Sequence, residues 1–279
     1  MTIFGDSMAS STRKTQKQTE ERERPAPPIF SLSDINRETF SRLVGSLQLV
    51  NEEVTLHVEP EKIWLREMDE SHILLLETNL KSPHLQVTRP GSIVVKSEEL
   101  QKLTKEGYWF SMQVTEADPE KVNVQVKSTV NKLFSIPVIG LEGTNTPLPK
   151  VAFTNSFSIS RLLLEEILGS INEVSEDVTI FSNHEGVSFS ARSEANSVNI
   201  PLSRDAAGLA LLNAPQEAKA AYRTDVIAQF LKLVKPLTVN VMYISKMPIK
   251  IDAAFKEETF EGTPGAEEEY SLWLAPRVE

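Results

Sequence analysis

The sequence predicts an α+β protein built from two copies of one unit, and three observations carry this prediction. The first is an internal repeat, the second is an amphipathic helix near the start of each copy, and the third is the alternating pattern that follows each helix. Helical stretches of this kind bury one apolar face, and alternating stretches pair as strands. The predicted fold is therefore two similar domains, each with two helices against antiparallel sheet.

The repeat appears without a gap when the sequence is shifted by 124 residues. Val44–Leu65, VGSLQLVNEEVTLHVEPEKIWL, then lies over Leu168–Phe189, LGSINEVSEDVTIFSNHEGVSF, with Gly45 opposite Gly169. The copies match again near their ends, where Phe134 corresponds to Trp273. Two copies of one unit fill most of the chain.

Two helices are predicted in each copy. In the first helix of each copy, apolar residues recur at spacings of three and four, which places them on one helical face. These residues are Phe40, Leu43, Val44, Leu47 and Val50 in one copy, and Leu164, Ile167, Leu168, Ile171 and Val174 in the other. The second helices are predicted over 96–107 and 223–236.

Each first helix is followed by a predicted hairpin. The stretches VTLHVEPEKIWL and VTIFSNHEGVSFSA alternate apolar and polar residues around turn sequences. The turns are expected at Glu59–Lys62 and Asn183–Gly186.

The chain divides into four predicted segments. Residues 1–28 are polar and rich in charge and proline, which indicates a disordered tail. The repeat then gives one domain over 29–140 and a second over 153–279. Between them, glycine and two prolines in LEGTNTPLPK predict an extended connector over 141–152.

Composition narrows the class of protein. The net charge is -10, so nucleic acid would have to meet a local basic face on an acidic protein. The chain has no cysteine, which fits an intracellular protein, and no apolar run near the length of a membrane span. We therefore expect an intracellular protein with no membrane partner.

The sequence offers little for catalysis. The four histidines, His57, His72, His84 and His184, have no second ligand at a metal-binding spacing, and there is no glycine-rich phosphate loop or nucleophile elbow. Adjacent acidic residues such as Glu165 and Glu166 are more often solvated than catalytic. The sequence predicts no catalytic residue, no metal site and no cofactor.

Three ordered motifs resemble the sliding clamps related to proliferating cell nuclear antigen (PCNA). EMDESHILLLETNL (67–80) resembles the Met-Asp-x-Ser-His turn of that family, and LWLAPRVE at the chain end is similar to its closing strand. KLFSIPVIGLEG leading into PLPKVAF is similar to the passage into its interdomain connector. The resemblance covers about residues 29–279 and is nearest to the archaeal clamps.

The resemblance implies a pseudo-sixfold ring of three two-domain subunits that encircles duplex DNA without sequence preference. Helices would line the hole, and basic helical residues would face the phosphates. The expected DNA-binding residues are Arg37, Arg42, Lys102, Lys105, Arg161, Arg223, Lys232 and Lys235. Glu166 replaces Arg42 in the second copy, so that helix is less basic than the family pattern.

The resemblance also implies an apolar pocket for a partner peptide with one aliphatic and two aromatic anchors. Its expected residues are Met68, His72, Ile73, Leu148, Pro149, Pro248, Trp273, Leu274, Ala275 and Pro276. Trp273 stands where many relatives carry tyrosine or another hydrophobe, so partner preference is expected to differ.

Ring closure in the family joins an edge strand of one domain to an edge strand of the next subunit. By position, we expect these strands at 121–127 and 197–202, where Pro201 suits an edge because it lacks a ladder donor. The expected interface residues are Val122, Val124, Val126, Val198, Ile200 and Leu202.

The predicted function is therefore a DNA polymerase sliding clamp, a processivity factor and platform for replication and repair enzymes. The family's partners are DNA polymerase, flap endonuclease, DNA ligase and a clamp loader, and the location would be cytoplasmic in an archaeon or nuclear in a eukaryote. Two alternatives stay open: a clamp-like subunit of a heterotrimeric ring, and an enzyme on the same fold.

Overall fold

The computed structural model describes residues 26–143, 146–257 and 265–277. Most of the expected tail, residues 1–25, lies outside the described residues. Within them, four helices and eighteen strands form the predicted α+β architecture. The predicted hairpins are confirmed, because Val58 pairs with Ile63 and Ser182 with Val187 across the expected turns.

The first half of the chain contains nine strands and two helices. They are β1 Ile29–Asn36, α1 Arg37–Leu47, β2 Glu53–Glu59, β3 Lys62–Met68, β4 Leu74–Lys81, β5 Leu85–Arg89, β6 Gly91–Lys96, α2 Ser97–Leu103, β7 Trp109–Thr115, β8 Asp118–Lys127 and β9 Lys132–Pro137.

The second half repeats this order element by element. Its elements are β10 Asn155–Ser160, α3 Arg161–Asn172, β11 Asp177–Asn183, β12 Gly186–Arg192, β13 Ser197–Ser203, β14 Leu209–Asn213, β15 Ala218–Arg223, α4 Thr224–Val234, β16 Thr238–Tyr243, β17 Ile249–Lys256 and β18 Glu267–Leu274. No helix or strand lies in the described part of the predicted connector, residues 141–143 and 146–152. The domain limits themselves stay a prediction.

The described strands form three antiparallel sheets that follow the repeat. One sheet has the order β5-β1-β7-β8-β9, and its counterpart in the second half is β14-β10-β16-β17-β18. Likewise β4-β3-β2-β6 corresponds to β13-β12-β11-β15. Because β18 pairs with β4, two of these four groups join into one nine-stranded sheet that runs through both halves.

The strand pairing corrects one sequence prediction. Residues 121–127 were expected to form an edge strand, but they lie in β8, which is hydrogen-bonded to β7 on one side and β9 on the other. Val122, Val124 and Val126 are at most 1% exposed in the core. Both ladders of β8 are occupied, so these valines cannot form a subunit interface, and the edge strand is β9.

The helices form a row in which neighbours pack together, in the order α2, α1, α4, α3. The side chain of Asn36 caps α1 by accepting from the backbone N–H of Thr39 at 2.8 Å, and Ser160 caps α3 in the same way. At the centre of the row α1 and α4 come close, since a Cβ on Gly45 would lie 3.6 Å from Leu233.

The second helix of each half is shorter than predicted. The helix expected over 96–107 ends at Leu103, and the one expected over 223–236 ends at Val234. After α2 the chain turns back against β8, where a Cβ on Gly107 would lie 2.3 Å from Val126. Only glycine fits this approach, and glycine disfavours a helix interior. No helix in the described part of the chain is long and apolar enough to cross a membrane.

Candidate functional site

The eight basic residues expected at DNA all lie on or next to the row of helices, but they differ in environment. Arg37, Lys105, Lys232 and Lys235 are exposed, and none forms an ion pair within the described residues. Lys232 lies in the last turn of α4, and Lys235 follows as its left-handed cap with φ 53°. These four side chains offer unpaired positive charge to solvent.

Three of the other expected cations pair with acidic neighbours close in sequence, Lys102 and Arg161 within their helices and Arg223 from the end of β15. Lys102 contacts Glu98 and Glu99, Arg161 contacts Glu165, and Arg223 contacts Asp225. Such contacts place a carboxylate beside each cation. The sequence signal was available for Lys102 and Arg161, because their acidic partners lie three or four residues away on the same helix.

Arg42 is partly buried and is paired within the chain. Its guanidinium donates to Glu268 at 2.6 and 3.0 Å and lies 4.2 Å from the ring centre of Phe255. Thr39 and the hydroxyl of Tyr270 also donate to the buried Glu268 carboxylate, at 2.8 and 2.6 Å. Burial alone would lower the pKa of Arg42. The hydrogen bonds to Glu268 and the negative charge of that carboxylate outweigh this effect, so the pKa of Arg42 is raised.

The Met-Asp-x-Ser-His turn is organised by Asp69. One Asp69 carboxylate oxygen accepts the backbone N–H groups of Ile73 and Leu74 at 2.9 and 2.7 Å, which closes the turn between β3 and β4. His72 adopts φ 58° within it. The chain end is tied to this turn, because the N–H of Ala275 donates to the carbonyl of Ile73 at 2.8 Å.

Trp273 lies in β18 and is 7% exposed. Its ring lies 5.5 Å from that of Phe153, which follows the predicted connector, and 5.5 Å from the ammonium of Lys250. The indole Nε1 is buried and has no hydrogen-bond partner among the described residues. Phe153 therefore contacts the residue expected to bind partners.

The structure brings together part of the expected pocket. Ile73, Leu274, Ala275 and Pro276 line a cavity of about 310 Å³, and Arg223 and Arg277 complete its described lining. Leu148 is 38% exposed, and it lies outside that lining together with Met68, His72, Pro149, Pro248 and Trp273. The partner-binding role of all ten residues stays a prediction.

Two strand edges bear on assembly. Strand β13 is an edge, as predicted for Pro201, and Val198, Ile200 and Leu202 are half-buried on it. Strand β9 is an edge of the five-stranded sheet, and its Leu133 is 67% exposed. The sequence contained the signal for β9, because Leu133–Val138 matches Leu272–Val278 in the repeat.

Comparison with known proteins agrees with this architecture. The chain is 24% identical to the DNA polymerase sliding clamp of Pyrococcus furiosus over 245 residues, which cover 86% of this chain and 95% of that protein. It is 23% identical to that of Thermococcus gammatolerans over the same shares. No protein-family model matches the chain.

Solved structures give the same result for the fold. PCNA from Thermococcus kodakaraensis superposes with a TM-score of 0.79 at 19% identity, over 89% of this chain and 100% of the other. PCNA from Entamoeba histolytica gives 0.75 at 17% identity, over 89% and 99%. The fold is thus the DNA clamp fold. The expected resemblance is confirmed: the chain has the fold of the PCNA structures and is similar in sequence to the archaeal sliding clamps.

Proposed function

We propose that the chain is a DNA polymerase sliding clamp, which encircles duplex DNA as a closed ring and has no chemistry of its own. The curated relatives carry that function in their names. The observation that carries the proposal is that two edge strands, β9 and β13, are the counterparts of the two strands that pair at the internal junction.

Inside the chain, β18 of the second half pairs with β4 of the first, with Leu272 opposite Leu76 and Tyr270 opposite Thr78. In the repeat, the counterpart of β18 is β9, and the counterpart of β4 is β13. Both counterparts are free edges. Pairing β9 of one chain with β13 of the next would repeat the internal junction between chains, and this head-to-tail contact closes into a ring.

Exposed apolar side chains support this contact. The ladders set Phe134 at the position of Leu272, since Phe134 lies opposite Val124 as Leu272 lies opposite Ile251. In the same way, the pairing of β13 with β12 and of β4 with β3 sets Val198 at the position of Leu76. The repeat thus sets Phe134 opposite Val198 between chains, with the 67% exposed Leu133 beside Phe134. Val130 beside β9 is 63% exposed, and Leu162 on α3 is 69% exposed. Apolar residues next to an unpaired strand edge favour association of chains. Three chains would give a ring of six similar domains, as the resemblance implies.

The row of helices would line the hole. Arg37, Lys105, Lys232 and Lys235 are proposed as the main phosphate contacts, since they are exposed and unpaired within the described residues. Lys102, Arg161 and Arg223 would contribute less because nearby carboxylates offset their charge. Arg42 would act through its contact with Glu268 rather than on DNA. Weak contacts suffice when enclosure holds the DNA.

Partner enzymes are proposed to bind at the chain end. The cavity beside Ile73 and Pro276 would receive the anchors of a polymerase, nuclease, ligase or clamp-loader peptide, with Trp273 and Leu148 at its margin. Movement of Phe153 away from Trp273 would expose more aromatic surface to these anchors. The connector would then take part in recognition.

Retention on closed circular DNA tests the function. The purified chain is loaded with a clamp loader onto a nicked circle, washed at high salt, and assayed before and after the circle is linearised. A topological link resists salt, so we expect retention on the circle and loss from the linear form. Equal retention on both forms would contradict encirclement. A chain that is monomeric by light scattering at all concentrations would favour the heterotrimeric alternative.

A further inference from the structure

A second cavity lies beside the chain end, on the other side of Pro276 and Arg277. Its volume is about 310 Å³. It is lined by Lys219, Ala220, Ala221, Ser245, Lys246, Pro276 and Arg277. Because Pro276 and Arg277 also line the first cavity, the two spaces are adjacent.

The described lining carries three cationic side chains and no carboxylate. Lys246 is exposed in the turn between β16 and β17, where φ is 59°, and it has no ion pair within the described residues. Lys219 is exposed on β15, and Arg277 is bound to Asp177 at 3.1 Å. Asp177 offsets the charge of Arg277, so the exposed Lys246 is the main source of positive charge at this cavity, on a protein of net charge -10.

The walls of the cavity are fixed by hydrogen bonds. The backbone N–H of Arg277 donates to the carbonyl of Ala221 at 2.8 Å, and that of Lys219 donates to the Ser245 hydroxyl at 3.0 Å. The Tyr222 hydroxyl donates to the carbonyl of Met247 at 2.8 Å, which holds the turn that carries Lys246. Because its walls are already fixed, the cavity loses little conformational entropy when a ligand binds.

We propose that this cavity selects partner segments that carry Asp or Glu directly beside the hydrophobic anchors. The inference rests on the proposed function, because it assigns the charge of the peptide that the chain end binds. Ala220, Ala221 and Pro276 provide apolar surface for the peptide stem, and Lys219, Lys246 and Arg277 face its carboxylates. A partner peptide with Lys or Arg at that position would place like charges beside these cations, which weakens binding.

A peptide is favoured over nucleic acid because of the apolar floor. Phosphate contacts need clustered cations but do not need the apolar surface that Ala220, Ala221 and Pro276 provide here. This apolar surface continues into the first cavity, beside Ile73 and Leu274. DNA therefore enters the test as the competing ligand.

The test uses peptides with identical aliphatic and aromatic anchors and with Glu-Glu, Gln-Gln or Lys-Lys placed before or after them. Calorimetry with the assembled protein should give the tightest binding for a Glu-Glu peptide and the weakest for the matching Lys-Lys peptide. Exposed ion pairs are modest, so each lysine should contribute about a twofold to fivefold change in affinity. The preference should weaken as salt is raised.

A charge-reversed protein provides the decisive comparison. The double variant Lys219→Glu with Lys246→Glu should reverse the order of the peptides, whereas Lys96→Glu, at the far edge of the nine-stranded sheet, should leave it unchanged. Equal affinities for acidic and basic flanks, at either end of the anchors, would refute the charge preference while leaving the pocket intact. Failure of every peptide to bind would refute the pocket as well. Reduced DNA binding with unchanged peptide preference in the double variant would assign the cavity to DNA.

Discussion

The two halves of the chain meet at one junction, where β18 pairs with β4. The counterparts of these strands in the repeat, β9 and β13, are unpaired edges among the described strands, at the two open ends of the chain's sheets. At the junction, β18 pairs with β4 and α1 packs against α4, so that apolar surface from both halves is buried. At the ends, β9, β13 and the outer faces of α2 and α3 have no second partner within the described residues. The same unit is thus buried on one side and open on the other.

The two regions also differ in chemistry. The junction holds the buried pair of Arg42 and Glu268, whereas the residue that corresponds to Arg42 at the open end is the exposed Glu166. Gly45 packs on Leu233 at the junction, but a Cβ on its counterpart Gly169 would meet no atom within 4 Å. The junction is specified by a polar network, and the contact between chains would depend on apolar residues and backbone pairing.

The largest expected effect comes from a charge placed on a free edge. Leu133→Asp or Ile200→Asp would bury an unpaired carboxylate in the proposed contact, so we expect light scattering to show monomers at concentrations where the unaltered chain is a ring. The fold should survive, because Leu133 is exposed and Ile200 only half-buried.

Val124→Asp is the matched control on the neighbouring strand. Val124 is fully buried in β8, so the same charge should unfold the first half rather than release an intact monomer. Folded monomers of Val124→Asp, or intact rings of Ile200→Asp, would overturn this assignment of the edges.

The sequence predicted features that depend on residues close together in the chain, and it did not predict those that depend on residues far apart. The first helices and the hairpins were predicted because their period is a local property, as in Phe40 to Val50 and at Asn183–Gly186. The pairing of Tyr270 with Thr78 joins distant strands, and no local pattern specifies it. Alternation in 121–127 indicated a strand but could not say whether both ladders were occupied.

Side-chain partners were predicted less well than elements. Nothing near Arg42 in sequence indicates that Glu268 will bind it, because the two residues come from opposite halves. The contact of Trp273 with Phe153 likewise depends on the path of the chain between the halves. By contrast, Lys102 lies within four residues of Glu98 and Glu99, so its pairing was visible in the helical spacing.

The second expected effect concerns the stability of the junction. Glu268→Ala leaves Arg42 partly buried without its carboxylate and removes the acceptor for Thr39 and Tyr270. Removing one member of a buried pair commonly costs about 3–5 kcal/mol, and partial exposure of Arg42 favours the lower figure. Chemical denaturation should therefore show a loss of about 3 kcal/mol in the free energy of unfolding.

Glu166→Ala is the control at the open end. Glu166 is exposed on α3, so its removal should change the free energy of unfolding by less than about 0.5 kcal/mol. Similar losses for both variants would mean that the Arg42 and Glu268 pair does not stabilise the junction.

The smallest expected effect compares the two corresponding glycines. Gly45→Leu adds a side chain where Leu233 already lies 3.6 Å from the Cβ position, so overpacking should lower the free energy of unfolding by about 1–3 kcal/mol.

Gly169→Leu projects into open space within the chain, and its fold should be as stable as that of the unaltered protein. If α2 of the next chain packs there as α4 packs on α1, association should weaken by about tenfold, because overpacking of that contact carries a similar cost. Denaturation curves of both variants measure the stability of the fold, and sedimentation at several concentrations measures association, so the two effects are separated. Unchanged association of Gly169→Leu would show that the contact between chains does not repeat the helix packing of the junction.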